Sequence, residues 1–318
     1  MNKKRLLTVM GGGRWFFNQT AFTQSLGDEI VANGNMETGD PPGNWNEGAN
    51  ATKSRQSDER TGGSGSYSIK VLESSDGVNS YVVSAPTYAT LTGGAFYYLS
   101  GWMKNIDANN GLYINWGDSQ NNPVPSGGFH SATEWAKYSF IRKLLLDRTS
   151  GTIRLYTSNN NGTSGLFDDI SFKKITPNTN KVSPSSDMNV DFEYTLPESP
   201  HYGESLQLLY RFNNVIESVD SYWYATVYYT TYWRCALLFV SGDTVTSKLN
   251  VADIGSTDAL RVKVIGNEHR VYTRSTGSWT QRGAAITDAT NNTYRGVNVL
   301  YSPEVTPLAL RGSQPYPF

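Results

Sequence analysis

The sequence lacks the residues that many covalent and electrostatic functions need. It has one cysteine, Cys235, so no disulfide can form within the chain, and burial as a small hydrophobe is the favoured role of this residue. Only 17% of the residues are charged and the formal net charge is −1. Such a chain offers no basic surface to nucleic acids or anionic membranes, so we expect neither as a partner.

Long apolar runs are also missing. No run approaches the roughly 18 residues of a membrane-spanning helix, so the sequence predicts no membrane span. The amino terminus begins with basic residues, but its apolar stretch stops after about five residues at Gly11, which is too short for a secretory signal. We therefore expect a chain that does not carry a secretory signal.

The usual signatures of catalysis do not occur. A glycosidase needs two carboxylates roughly 5 to 10 Å apart, and the alternating pair Asp191 and Glu193 is more typical of a solvated strand face. His130, His201 and His269 lack the spacing of zinc ligands, and no Gly-x-Ser-x-Gly motif is present. The sequence predicts a protein that is not an enzyme.

What the sequence has in abundance is strand-forming and turn-forming residues, including 20 Tyr, 8 Trp and 30 Gly. Its 318 residues are enough for two domains with separate cores. The segment 176–187 is polar and turn-forming, which is typical of a linker. We predict an all-β protein of two tandem β-sandwich (jelly-roll) domains, residues 28–175 and 188–318, preceded by an arm, residues 1–27.

The arm carries an apolar cluster, Trp15, Phe16 and Phe17. These side chains predict docking of the arm on a partner protein. Packing of the arm against its own domain is an alternative that the sequence leaves open.

The clearest predicted strand covers residues 96–104, where successive side chains alternate between two faces. Tyr97 and Leu99 would face the core, and the opposite face is unusually aromatic. A second predicted strand, residues 112–116, is expected beside it. Aromatic rings flanked by amides suit the faces of sugars. The candidate glycan-binding residues are Tyr98, Trp102, Tyr113, Asn115 and Trp116, with core or interface packing as the alternative for each.

In the second predicted domain, aromatic side chains crowd the segment 222–233 on both faces of its strands. Both faces should therefore be covered, and a partner subunit is one candidate for the outer cover. This pattern favours a homo-oligomer.

The first domain carries two motifs near its ends. The segment 29–37 reads Glu-Ile-Val-Ala-Asn-Gly-Asn-Met-Glu, with Trp45 shortly after, and the segment 165–172 reads Gly-Leu-Phe-Asp-Asp-Ile-Ser-Phe. In these motifs the domain resembles the calcium-stabilised carbohydrate-binding modules that are attached to xylanases and cellulases. Asn35 stands where that family more often has Asp.

The resemblance implies a structural calcium ion between the first strand and the Asp-Asp strand. Glu37 and Asp169 would be its main ligands, with oxygen atoms near Asn35 and in the turn 63–66 completing the shell and Asp168 as a further candidate ligand. The alternative is that these carboxylates accept hydrogen bonds from turn amides.

The second domain contains Leu208-Leu-Tyr-Arg-Phe and the run 260–272, in which it resembles concanavalin A-like, laminin G-type jelly rolls. Tandem domains of this kind occur in bacteriophage structural proteins. The resemblance implies a non-enzymatic virion surface protein (decoration, head-fibre or tail-associated), bound to other virion proteins or to its own copies and able to contact a cell-surface glycan. The alternatives are a secreted extracellular carbohydrate-binding protein or adhesin and, behind both, a polysaccharide hydrolase or lyase.

Overall fold

Every regular element in the described part of the chain is a β strand, which confirms the predicted all-β class. The computed structural model describes residues 24–48, 50–57, 60, 62–74, 80–84, 91–107, 111–118, 133–144, 147, 151–157, 162–177, 181–182, 190–196, 205–212, 221–229, 233–241, 244–251, 259–275, 277–291, 296–301 and 310–313. Within these residues, no helix is long and apolar enough to cross a membrane. The predicted docking residues Trp15, Phe16 and Phe17 lie outside them.

The first group of strands lies before residue 178. It consists of β1 (Gln24–Glu29), β2 (Trp45–Glu47), β3 (Ala51–Gln56), β4 (Ser68–Glu73), β5 (Ser80–Ser84), β6 (Phe96–Asn105), β7 (Leu112–Asp118), β8 (Ala136–Lys143), β9 (Gly151–Thr157) and β10 (Ser164–Pro177). One sheet has the order β3-β4-β10-β6-β8, with β1 paired to β10, and the other has the order β2-β5-β9-β7. These two sheets form the first sandwich.

The core of the first sandwich lies between the two sheets. Trp116 of β7 is fully buried there, and its ring centroid lies 4.9 Å from that of Phe172 and 5.9 Å from that of Tyr97. Tyr97 and Leu99 of β6 belong to the same core, so the predicted alternation along this strand is confirmed. Gly101 continues this face of β6, and a Cβ atom there would lie 2.4 Å from Ile170, so the glycine leaves room for the core.

The second group of strands begins at residue 181. It consists of β11 (Lys181–Val182), β12 (Val190–Thr195), β13 (Ser205–Phe212), β14 (Ser221–Tyr229), β15 (Trp233–Ser241), β16 (Thr244–Val251), β17 (Ala259–Ile265), β18 (Glu268–Arg274), β19 (Trp279–Thr287), β20 (Gly296–Tyr301) and β21 (Leu310–Ser313). The sheets have the orders β11-β20-β13-β14-β15-β16 and β19-β18-β17-β12-β21. They form the second sandwich.

The strands differ from the predicted segment boundaries at two places. β1 starts at Gln24, so the last four residues of the predicted arm, 24–27, pair with β10 and are part of the first sandwich. β10 continues to Pro177, and β11 lies inside the predicted linker and pairs with β20. The polar composition of 176–187 therefore did not prevent strand pairing.

A buried polar cluster lies within the core of the second sandwich. Arg211 is 1% exposed and donates from Nη1 to His269 Nε2 at 3.1 Å and to the carbonyl of Asp288 at 3.2 Å, and it also donates to the carbonyl of Gly266. His269 Nε2 also lies 3.3 Å from the carbonyl oxygen of Asp288, and its Nδ1 lies 2.9 Å from the Tyr210 hydroxyl. Burial, followed by the charge of Arg211, lowers the pKa of His269 to about 4.

The two sandwiches pack against each other through a third apolar cluster. Tyr98 lies in it at 2% exposure, and the Ile141 carbonyl accepts a hydrogen bond from Gln207 Nε2 at 2.9 Å across the interface. Lys143 lies 4.6 Å from the ring centroid of Tyr222. The buried members of the cluster are Phe96, Tyr98, Ile141, Ile175, Leu209, Tyr222, Val240 and Leu300. The first sandwich of the same chain, rather than a partner subunit, therefore covers Tyr222 of the second.

Candidate functional site

The five predicted glycan-binding residues do not form one surface. β6, which carries Tyr98 and Trp102, pairs with β10 and β8, whereas β7, which carries the other predicted residues, pairs with β9 in the opposite sheet. The expectation that the two strands are neighbours was therefore wrong.

Burial removes three of the predicted residues from any accessible platform. Tyr98 is 2% exposed because the second sandwich covers it, and Trp116 is 2% exposed because it faces the core of the first sandwich. Asn115 is also 2% exposed. Trp102 is half-buried, and the guanidinium carbon of Arg60 lies 4.0 Å from its ring centroid. Of the predicted set, Tyr113 and Asn115 share a different surface, the outer face of the sheet β2-β5-β9-β7.

Three tyrosines lie side by side on this outer face. The register places Tyr81 of β5 opposite Tyr156 of β9, and Tyr156 opposite Tyr113 of β7. The rings of Tyr113 and Tyr156 are stacked with centroids 4.4 Å apart and an interplanar angle of 10°, and those of Tyr81 and Tyr156 are 5.0 Å apart. Tyr81 and Tyr113 remain partly exposed, whereas Tyr156 between them is 4% exposed. We call the outward side chains of these strands the tyrosine face.

A polar row follows the tyrosines on the same face. Arg154 of β9 lies opposite Val83 on one side and Asn115 on the other. Its guanidinium carbon lies 4.9 Å from the ring centroid of Tyr81, and its Nη1 donates to the Tyr156 hydroxyl at 3.2 Å. Neighbouring strands thus hold the guanidinium among the tyrosine rings.

Asn115 contributes an amide beside Arg154. It is 2% exposed, and its Oδ1 atom has no hydrogen-bond partner among the described residues.

The tyrosine face is uncharged apart from one group. Burial, followed by the proximity of Tyr156, raises the pKa of Tyr113 to about 12, so this phenol stays neutral at physiological pH. Among the described residues of β2, β5, β9 and β7, the only ionisable side chain other than tyrosine that the strand alternation places outward is Arg154.

The sequence reasoning missed Tyr81, Tyr156 and Arg154. Residues 154–156 lie in β9, and their alternation, Arg-Leu-Tyr, puts Arg154 and Tyr156 on one face while Leu155 is in the core. That alternation was a usable signal. The position of Tyr81 beside them depends on the strand order.

A second candidate site surrounds Arg60 and the turn 62–67, which we call the acidic turn because two carboxylates hold it. Glu37 Oε1 accepts hydrogen bonds from the amides of Ser66 and Tyr67, both at 2.8 Å. Asp169 accepts from Arg60 and from the hydroxyl of Ser64. The turn is therefore held between a carboxylate of the first loop and one of β10.

Local backbone geometry brings these carboxylates together. β10 has a bulge after Asp168, and Asp169 has a φ of 48°. Gly34 packs directly on the bulge, where a Cβ atom would lie 1.9 Å from the carbonyl oxygen of Ile170, so only glycine fits. Asn35 and Asp169 line one open depression with a volume of about 430 Å³.

Asp168 is the most perturbed carboxyl group at the acidic turn. It is 2% exposed, and burial, followed by the negative charge of Asp169, raises its pKa to about 7. Glu37 adds to the increase and Arg60 opposes it. Within the described residues, no group of three or more His, Cys, Asp or Glu side chains has an arrangement suited to a metal ion.

The sheets define the class of the protein as an all-β chain of two packed sandwiches. No protein-family model matches the chain, and no curated protein sequence matches it. A solved structure similar to it is the N-terminal CBM22-1–CBM22-2 tandem domain of Xyn10C from Paenibacillus barcinonensis. The sequence identity is 11% and the TM-score is 0.37, with 91% of this chain and 96% of that chain covered.

Proposed function

We propose that this protein binds carbohydrate through the tyrosine face. The observation that carries the proposal is the row Tyr81, Tyr156 and Tyr113 on adjacent strands, with Arg154 and Asn115 in the next row. The exposed parts of Tyr81 and Tyr113 supply apolar surface for the C–H groups of sugars, and the guanidinium of Arg154 supplies donors for hydroxyl groups.

Binding titrations of the full chain against a glycan panel test the proposal. Tyr113→Ala should weaken binding of any glycan that the wild type binds by about tenfold or more, because ring contacts of this kind are worth about 0.5–1.5 kcal/mol beyond the buried area. Tyr67→Ala is the matched control, since Tyr67 is a partly buried tyrosine that lies under Arg55 away from this face. Equal loss in both variants, or none in Tyr113→Ala, contradicts the proposal.

The proposed binding does not include bond cleavage. Incubation of the protein with the same glycan panel, followed by assay of new reducing ends and of unsaturated products, tests this part. Turnover above that of a heat-denatured control would replace the binding function with a hydrolase or lyase.

We also propose, from the family resemblance, a structural calcium ion at the acidic turn, held by Glu37 and Asp169 with Asp168 and Asn35 beside them. The raised pKa of Asp168 supports it, because a nearby cation would relieve the repulsion among these carboxylates. Arg60 supplies the positive charge in the structure, so calcium would have to displace it from Asp169. Calcium should raise the melting temperature of the wild type and not that of Asp169→Ala; an unchanged wild-type melt after chelation contradicts the proposal.

A role on a virion surface is a further proposal, and its support is the sequence resemblance alone. The test is immunogold labelling of phage particles with antibodies against the chain, alongside the mass of the purified protein in solution. Unlabelled particles, together with a protein that stays monomeric, would favour the secreted carbohydrate-binding protein or adhesin.

A further inference from the structure

The chain passes between the two sheets at one end of the first sandwich, where it connects β4 to β5, β6 to β7 and β9 to β10. This end is closely packed, because a Cβ atom on Gly165 of β10 would lie 2.3 Å from the side chain of Leu112 of β7. The residues that end β4, β6 and β9, and the residue that begins β5, therefore lie around the same end of the core.

The inward side chains at this end are polar. In each of β4, β5, β6 and β9, the residue at this end of the strand lies two positions from a core residue, so its side chain faces the same interior. All four of these residues are at most 1% exposed. We call them the polar layer: Glu73, Ser80, Asn105 and Thr157.

Glu73 faces two hydroxyl-bearing residues of the opposite sheet. β4 packs on β5 and β9, and Ser80 of β5 pairs directly with Thr157 of β9. Because Glu73 ends β4 at the same end of the sandwich, its carboxylate faces this pair.

The carboxylate of Glu73 is only partly satisfied. Its Oε2 atom accepts a hydrogen bond from the Thr163 hydroxyl at 3.0 Å, whereas Oε1 is buried and has no hydrogen-bond partner among the described residues. In the same part of the chain, no ion pair involves Glu73. Thr157 Oγ1 is likewise buried without a hydrogen-bond partner there. Buried carboxylates are normally paired with a positive charge, because an unpaired one is costly.

We propose that the polar layer binds one monovalent alkali cation, sodium or potassium, through Glu73 Oε1 and Thr157 Oγ1. Such an ion takes oxygen ligands, supplies the missing positive charge and would bind both of the unpartnered atoms. A divalent ion would leave an excess positive charge in the core, because Glu73 is the one carboxylate of the layer. Asp107, which follows β6, accepts its hydrogen bonds from Ser164 and is only partly buried.

The proposed cation site is separate from the acidic turn. Ser164, which follows Thr163, and Asp169 are five residues apart on β10, a distance of about 15 Å in an extended strand. The ion would stabilise the folded chain by mass action, because the layer is assembled only in the folded state. The cation site is therefore independent of calcium at the acidic turn and of carbohydrate binding by the tyrosine face.

The experiment compares cations at constant ionic strength. The melting temperature of the full chain is measured in sodium, potassium or tetramethylammonium chloride at about 150 mM, with EDTA present to remove calcium. A site that is half-filled at about 10 mM cation increases the ratio of folded to unfolded protein about 16-fold at about 150 mM. We therefore expect sodium or potassium to raise the melting temperature by about 3–6 °C relative to tetramethylammonium, which is too large for a buried site.

Substitutions then assign the effect to the polar layer. Glu73→Gln should abolish the difference between the salts, because it removes the charge with little change in shape. Thr157→Val should be at least as stable as the wild type in tetramethylammonium chloride, since the hydroxyl has no partner there, yet it should gain less from sodium or potassium. Glu47→Gln is the matched control, because Glu47 is an exposed strand carboxylate of the same sandwich, and it should respond like the wild type.

Equal melting temperatures of the wild type in all three salts would overturn the proposed site. A folded Glu73→Gln or Thr157→Val variant that keeps the full wild-type response would also overturn it, as would loss of the response in the Glu47→Gln control. If Glu73→Gln does not fold, the responses of the wild type and of Thr157→Val decide the question by the same criteria.

Discussion

Truncation of the interface between the two sandwiches should destabilise both of them. Tyr98 is the natural target, because it is 2% exposed and lies in the cluster that joins the first sandwich to the second. Replacing a buried aromatic side chain by alanine costs about 3–5 kcal/mol, the sum of lost transfer free energy and the cavity that remains. We therefore expect Tyr98→Ala to lower the free energy of unfolding by about 3 kcal/mol or more.

The thermal effect follows from the size of the sandwiches. For domains of 150–250 residues, 1 kcal/mol shifts the melting temperature by about 2–4 °C, so Tyr98→Ala should melt roughly 6–20 °C below the wild type. The comparison variant is Tyr67→Ala, which truncates a partly exposed tyrosine of the first sandwich that has no place in the interface. It should shift the melt by a much smaller amount.

A double-mutant cycle shows whether the lost stability belongs to the interface. Leu209 of the second sandwich is 1% exposed in the same cluster, so Tyr98→Ala and Leu209→Ala should be coupled by about 0.5–3 kcal/mol. Calorimetry should show one transition in the wild type and two in the double variant, and small-angle scattering should show a larger radius once the sandwiches separate.

Two results would refute the reasoning. One is a Tyr98→Ala variant that is no less stable than Tyr67→Ala. The other is strictly additive effects of Tyr98→Ala and Leu209→Ala, because residues that share no contact do not couple. Either result would mean that the two sandwiches do not share a core.

The remaining predictions concern buried groups. Burial and neighbouring carboxylates raise the folded pKa of Asp168 to about 7. The stability that the protonated carboxyl group contributes is therefore present below its unfolded pKa and is lost, by up to about 4 kcal/mol, as the pH rises to 7. Asp168→Asn should abolish this loss, which urea unfolding at pH 4 and at pH 7 measures. His269 acts in the opposite sense, because its folded pKa is lowered to about 4. The stability that neutral His269 contributes is present above pH 6.5 and is lost as the pH falls to 4. His269→Gln should therefore reduce the loss of unfolding free energy between pH 6.5 and pH 4 by up to about 3 kcal/mol. Cys235 is fully buried with its pKa raised to about 12, so maleimide should label it at the rate of global unfolding and no faster.

Strand positions were largely predictable because they depend on short-range alternation. The predicted strand 96–104 corresponds to β6, and the predicted strand 112–116 corresponds to β7. The burial of Tyr97 and Leu99 on one face of β6 follows from the same alternation. Several strands were not predicted, including β1, β2 and β16, whose side chains are mostly exposed, and also β4 and β5, whose burial alternates along the strand.

The binding residues were less predictable for a physical reason. Alternation assigns Tyr98 to the face opposite the core, but it does not say what covers that face, and here the second sandwich does. It also pairs Tyr113 with Asn115, but it does not say that β9 and β5 bring Tyr156 and Tyr81 beside them. At the acidic turn, the motifs around Glu37 and Asp169 were visible, whereas the contact of Arg60 with Asp169 was not.

The sequence by itself determined that this chain is built of strands, because the preference for strands and turns and the two-residue alternation are properties of neighbouring residues. Only the tertiary structure decided which aromatic faces are closed and which face carries Tyr81, Tyr113, Tyr156 and Arg154 together. Sheet order and the packing of one sandwich on another arise from contacts between residues far apart in the chain, and such contacts leave no periodic pattern in the sequence.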